Sequence, residues 1–396
     1  MIFDSIVIGK GLIGSAAARY LSQSKENVAV IGPDEPANIE KAVVFSSHYD
    51  QARIQRIIGV DPVWTLLNLQ SANQYLFLQK ESNIEFHSGA GCLYVNPTGS
   101  DTYLEQIRLQ ADQFDLSYQL FENGEAIHQS FPDFNFPGSA KAVFESSPSG
   151  YINPRLLIKA QLTLFKKNGG NIINDIANEL SYEENCIQIT TLNGDMYKAR
   201  KVLLSPGAFI NFLNLVRNKL ALTLKSETTI WANVSAEGAQ QLSALPSLLY
   251  EIEIPEYRNI YLIQPVQYPD GKYYLKMGGN LPGDIYFDNL KDIQHWFRSG
   301  DSDANLKNLK DALRKIMHKL KVEAFSTKRC IVDFTKHRKP YIGALNNNGL
   351  FVAAGGNGYS AMCSDALGRI ASHLMTEGVF PGEYSAESFQ PILADY

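Results

Sequence analysis

The stretch Ile2 to Ser15 reads IFDSIVIGKGLIGS, and the rest of the chain is organised around it. An apolar run from Ile2 to Ile8 reaches Gly9, Gly11 and Gly14 in the G-x-G-x-x-G spacing, and small residues from Ser15 to Ala18 follow at once. Strand, tight turn and helix is the natural reading. Glycine is needed at three points there: to turn sharply, to let backbone N–H groups approach a pyrophosphate, and to let helix pack on strand. The helix N-terminus then faces the phosphate charge. A purely structural turn has the same spacing; what favours a dinucleotide site is the context, a strand before the glycines and an Ala-rich helix after them.

The helix is expected from Leu12 to about Leu21. A turn at Lys25-Glu26-Asn27 leads to a second strand, Val28 to Ile31. In most dinucleotide folds an acidic residue ends this strand and accepts from the adenosine ribose. Here Gly32 takes that place, so either Asp34 or Glu35 bends back to the ribose or the contact is absent.

Further along, Arg53 and Arg56 sit three apart, the spacing of one helical face. Pro62 after Asp61 opens an apolar-periodic helix to about Gln79. Phe86 to Asn96 alternates like a strand, Asp101 to Phe114 reads as a helix, and Ser117 to Phe121 as a strand. Ala142 to Glu145 and Gly150 to Asn153 are expected to return the chain to the first domain. A helix from Pro154 to Lys167 and a hairpin through Asn193-Gly194 follow. Val202-Leu203-Leu204 is apolar throughout, as in a buried parallel strand, and ends at a turn into a helix, Ser205-Pro206-Gly207-Ala208. Leu222 to Met277 alternates as an antiparallel sheet with one face covered. Two polar helices are expected near Asp288 to Phe297 and Asp303 to Leu320. Leu350 to Ala354 reads as a strand, Gly355 to Gly358 as a turn, and about Tyr359 to Met375 as a closing helix.

The 396 residues allow two domains, and 45% hydrophobic with 19% charged residues describes an ordinary globule. A net charge of −5 gives no reason to expect nucleic acid. No apolar run approaches the roughly 20 residues of a membrane span, and because the sequence enters its first strand at once no signal peptide is expected. The cysteines Cys92, Cys186, Cys330 and Cys363 are scattered without metal-ligand spacing, so a cytoplasmic protein without a metal is expected.

Seven stretches together resemble the flavin-dependent amine oxidases of the monomeric sarcosine oxidase and N-methyltryptophan oxidase type, within the D-amino-acid oxidase superfamily. Besides the opening glycines they include S-S-H-Y-D-Q-A-R-I-Q-R at Ser46 to Arg56, F-E-S-S-P-S-G-Y-I-N-P at Phe144 to Pro154 and L-L-S-P-G-A-F at Leu203 to Phe209. Y-L-K-M-G at Tyr274 to Gly278, C-I-V-D-F-T-K-H-R-K-P-Y-I-G at Cys330 to Gly343 and A-A-G-G-N-G at Ala353 to Gly358 complete the set. The resemblance covers nearly the whole chain. It implies an α/β protein in which a Rossmann-like FAD-binding domain (1–52, 142–222 and 322–396) interleaves with an α+β substrate domain on an antiparallel sheet (53–141 and 223–321).

The same resemblance assigns roles. Gly9, Gly11, Gly14, Ser46, Ser47, Arg53, Gly207, Gly355 and Gly358 would hold FAD. Cys330, counted back without a gap from Pro340-Tyr341-Ile342-Gly343, falls where such enzymes bond their flavin covalently; the plain alternative is a buried free cysteine. Lys276 would sit near the flavin and promote the reaction with O2, because a fixed cation in a dry pocket favours the negative charge that O2 gains. Arg56 would pair with a substrate carboxylate as a planar fork can, and Tyr359 stands where relatives present a histidine to the substrate. The N-terminus of the closing helix, after Gly355 to Gly358, would favour the anionic edge of reduced flavin.

Two departures stand out. Met362 replaces a lysine that anchors the carboxylate in sarcosine oxidases, and Val332 occupies the place of an arginine in glycine and D-amino-acid oxidases. Arg56 is then the sole carboxylate anchor, or the substrate has no α-carboxylate there. With Ala361, Met362 suggests a larger or more apolar amine than sarcosine. The implied reaction is oxidation of the C–N bond of a secondary amine or amino acid to an imine, with O2 reduced to H2O2. A dehydrogenase using another acceptor, a catalytically altered flavoprotein subunit and a nicotinamide-dependent dehydrogenase are the alternatives; oligomeric state is open.

Overall fold

The computed structural model describes residues 2–24, 26–99 and 102–394, so Lys25 of the expected turn and Asp101 of the expected helix lie outside the described residues. The opening run forms the strand Ile2–Ile8 at the centre of an eight-stranded sheet. Parallel neighbours are Val28–Ile31 on one side and Met196–Leu204 on the other, with Asn171–Ile173 and Leu350–Ala354 next outward. A strand buried on both faces needs a continuous apolar run, and Ile6, Val7, Ile8 and Val202 to Leu204 supply it. Ala177–Glu183 and Cys186–Thr191 continue the sheet antiparallel.

Three helices cover one face of this sheet: Leu12–Leu21, Pro154–Lys167 and Ser364–Glu377. The first and last come so close that a Cβ on Gly368 would overlap Ala16 and Ala17. A buried network joins all three, with the Arg19 guanidinium 2.9 Å from Asp365 and the Gln161 amide donating to Asp365 at 2.7 Å. These charges are matched and hydrogen-bonded, the condition for burying them.

The second sheet has nine strands, centred on Leu222–Val234, Tyr273–Asn280, Tyr257–Gln267 and Ser247–Ile254. It is antiparallel apart from one pair, Ser247–Ile254 with Cys92–Asn96. Alternation along its strands sorts the side chains onto two faces. Ile230, Ala232, Leu262, Leu275 and Met277 enter the larger core, beneath the helix Leu306–Ile316. The residues between them, Glu227, Tyr261, Lys276 and Gly278, share the opposite face, where Glu227 lies across from Cys330 and Gly278 across from Tyr261.

Four expectations are corrected. Arg53–Gln55 is a strand in a small third sheet, paired with Gly150–Ile152, so the two arginines do not share a helical face. Three-residue spacing suits a helix, but the ladder with Gly150–Ile152 fixes an extended chain. The closing helix starts at Ser364, because Gly355, Asn357 and Gly358 take φ of 84°, 52° and 75° and residues 359–363 turn before the helix can propagate. Phe86 to Asn96 is broken into His87–Ser88 and Cys92–Asn96, with Gly91 at φ 90° between them. Finally, residues 142–145 and Ala324–Thr335, which the expected boundaries put with the first domain, hydrogen-bond into the second sheet.

Candidate active site

A cavity of about 670 Å³ runs between the carboxyl ends of the parallel strands and the polar face of the second sheet. That is where open α/β sheets bind ligands. At one end lie Gly9, Gly11 and the start of the first helix. Gly9 has φ 101°, and a Cβ there would overlap the Ser205 carbonyl; a Cβ on Gly14 would overlap the Gly9 carbonyl. Gly11 is the N-cap and contributes no side-chain bond to the helix. The first-turn N–H groups are therefore open to an anion, and the sequence predicted this turn correctly.

Both carboxylates that follow Gly32 are engaged by cations. Asp34 pairs with Lys10, and Glu35 pairs with Arg155 at 2.6 Å. Gly32 is required in its place, since a Cβ would press on the Lys10 backbone and side chain.

Along the cavity, Ser46 and Ser47 line the wall beside Arg53. Ser46 hydrogen-bonds His48, whose partly buried imidazole is lowered to about 3 by desolvation and by the nearby Arg155, Lys10 and Arg53. The Ser47 carbonyl accepts from Arg53 at 2.6 Å, and the same guanidinium nitrogen is 3.8 Å from the Cys330 sulfur. Cys330 is half-buried on the cavity wall, and its carbonyl accepts the Trp296 indole N–H at 2.9 Å. Gly207, Gly355 and Gly358 line the same space.

Arg56 is 3% exposed and lies on this wall between two rings, 5.6 Å from the Tyr94 centroid and 5.2 Å from that of Tyr359. No carboxylate pairs with it among the described residues, and its Nε has no hydrogen-bond partner. Glu145 fixes the backbone beyond it: the carboxylate accepts the N–H of Ile57 at 3.1 Å and of Ile58 at 3.0 Å, and the Tyr94 hydroxyl at 2.7 Å. Burial raises the Glu145 carboxyl. Tyr359, 36% exposed, is edge-on to Trp64 at the cavity.

Lys276 lies behind that wall and not on it. Its ammonium donates to Asp50 at 2.6 Å and to the Ala52 carbonyl, and Asp50 also lies 3.3 Å from Arg53 and accepts the Tyr268 hydroxyl at 2.7 Å. Burial lowers Lys276 from 10.5 to about 8, against the opposing pull of Asp50. Burial alone would raise the Asp50 carboxyl, but Lys276 and Arg53 hold it well below the carboxylate range. Asp50, Glu145 and Asp333 were missed in the sequence, although each lies inside a quoted motif.

The arrangement fits FAD on structural grounds: a glycine cradle with unfilled N–H groups at one end, and a broad cavity with Cys330, Arg53 and Arg56 at the other. Among the described residues no cluster of side chains could hold a metal ion, and no helix is long and apolar enough to cross a membrane.

Comparison with known proteins agrees with this geometry. The model of the family DAO, FAD dependent oxidoreductase, matches residues 4–374. N-methyl-L-tryptophan oxidases of Yersinia pestis and Yersinia pseudotuberculosis are 28% identical over 215 residues, 54% of this chain and 56% of theirs. The chain thus spans about half the length of the curated relatives it matches. NikD, an unusual amino acid oxidase essential for nikkomycin biosynthesis, superposes with a TM-score of 0.79 at 18% identity, over 100% of this chain and 98% of its own. Glycine oxidase from Geobacillus kaustophilus does so at 0.71 and 15% identity, over 98% of each chain. At these identities the likeness is one of fold.

Proposed function

The chain belongs to the FAD-dependent oxidoreductase family, and from that premise we propose that it oxidises the C–N bond of an amino acid or secondary amine to an imine, with O2 reduced to H2O2. The observation that carries this reading is Arg56: a guanidinium almost wholly removed from water, on the cavity wall, with no carboxylate in ion-pair contact among the described residues, since Glu145, which feels its charge, is committed to Ile57, Ile58 and Tyr94. A buried charge left unpaired is costly, so the site suits a ligand that supplies the missing carboxylate. The rings of Tyr94 and Tyr359 flank the guanidinium, whose planar fork suits a bidentate carboxylate.

FAD, when bound, supplies the two-electron chemistry, taking a hydride equivalent from the carbon next to nitrogen. The chain's own residues bind and orient. Gly9, Gly11 and Gly14 hold the pyrophosphate, and Ser46, Ser47, Arg53, Gly207, Gly355 and Gly358 hold the remainder. Cys330 is our candidate for the covalent link, supported by its place on the cavity wall with its sulfur 3.8 Å from Arg53. Arg56 and Tyr359 orient the substrate, while Ala361, Met362 and Val332 give the cavity apolar walls that suit an amine larger than sarcosine. Lys276 lends positive charge to the region where O2 is reduced.

A second reading, a dehydrogenase with another electron acceptor, is favoured by one observation: Lys276 is engaged by Asp50 and lies off the cavity wall. A screen of N-methyl amino acids against matched N-methylalkylamines lacking the carboxylate, with H2O2 formation as readout, tests the proposal. Amino acids are expected to react and the plain amines not. Turnover only with an artificial acceptor would favour the dehydrogenase, and equal turnover of both sets would remove the carboxylate role of Arg56.

A further inference from the structure

Arg56 is not the only unmatched charged group in the cavity. Asp333, near the end of the strand Ala324–Thr335, lines the same space. Its Oδ1 accepts the Gly356 N–H at 2.8 Å, and its backbone carbonyl accepts the Asn357 N–H at 2.8 Å. Among the described residues no ammonium or guanidinium forms an ion pair with this carboxyl, and burial raises it with only backbone N–H groups opposing. Glu227, the cross-strand neighbour of Cys330, is different: Lys225 matches it at 3.3 Å.

Asp333 and Arg56 belong to one neighbourhood. Gly356, whose N–H Asp333 accepts, takes the Tyr359 N–H on its carbonyl at 3.0 Å, and the Tyr359 ring lies 5.2 Å from the Arg56 guanidinium. Yet the two charged groups do not pair with each other. A fold that sets an unmatched cation and an unmatched carboxyl on the wall of one cavity is complementary to a ligand carrying both opposite charges. We propose that Asp333 pairs with the substrate's ammonium group while Arg56 takes its carboxylate, so that the site selects zwitterionic amino acids. The inference rests on the carboxylate role of Arg56 given above. It also assigns a binding function to a residue that lies next to Val332, where an anchor was expected to be missing.

The test uses two ligands of one shape, trimethylglycine and 3,3-dimethylbutanoate, which share a carboxylate and a trimethyl head and differ in the charge of that head. Neither carries an N–H, so neither can be turned over as an amine. Calorimetric titration of the holoenzyme at pH 8 is expected to show trimethylglycine binding about tenfold more tightly, the scale of a charge-assisted contact. In Asp333→Asn the amide oxygen still accepts the Gly356 N–H, so the loop stays fastened, and the preference is expected to vanish. Equal affinity in the wild type, or a preference that survives Asp333→Asn, would overturn the role of Asp333 while leaving Arg56 in place. Binding of neither ligand would overturn the carboxylate role of Arg56, and the present inference with it.

Discussion

Asp50 and Lys276, 226 positions apart, meet inside the protein as an ion pair at 2.6 Å. The contact joins the loop before Arg53 to the second sheet, and it explains how an ammonium can be 1% exposed. Asp50 also touches Arg53, so one carboxylate serves two cations beside the cavity. Truncating one partner of a buried pair leaves the other uncompensated, typically at about 3 to 5 kcal/mol. Asp50→Asn is expected to lose stability on that scale in denaturant titration, whereas Asp50→Glu retains part of it.

Lys276 gives a pH prediction. Its folded value is lowered from 10.5 to about 8, so its charge is present below about pH 8 and lost above. Reoxidation of the reduced enzyme by O2 should therefore slow as pH rises through about 8. Lys276→Met should be slow at every pH, by about 10²-fold on the scale of a lost electrostatic stabiliser, with the reductive half-reaction little changed. Stopped-flow reoxidation across pH measures both.

Arg56→Gln should raise KM for an amino acid substrate by about 10²-fold, because a charge-assisted bidentate contact is lost. Arg56→Lys should recover little of it, since a point charge cannot reproduce the fork. Steady-state kinetics with a carboxylate-free amine as control separates this from general damage.

Cys330→Ser tests the covalent link. Acid denaturation of the wild type should leave flavin on the chain, as read by mass, and the same treatment of the variant should release it. Release from the wild type would make Cys330 a free thiol beside Arg53.

Much of the fold was legible because its signals are local. The apolar run before Gly9, the Pro154 start and the Val202-Leu203-Leu204 run each carry their own periodicity, and they appear where expected. Arg53 and Arg56 misled because three-residue spacing suits a helix, while the partner that makes Arg53–Gln55 a strand, Gly150–Ile152, is about a hundred residues away. Gly355 to Gly358 resembles a helix start in sequence, but the positive φ values of Gly355, Asn357 and Gly358 delay the closing helix to Ser364. For the site, Arg56 and Cys330 could be picked out by motif. Asp50 and Asp333 could not, because their importance lies in contacts with Lys276 and Gly356 that only folding creates.

The most direct test is anaerobic addition of an N-methyl-L-amino acid to the purified yellow protein. The flavin absorbance is expected to bleach, and to return promptly when air is admitted. A protein that carries no flavin, or whose flavin stays oxidised with every amino acid and amine supplied, would contradict the function proposed for this cavity.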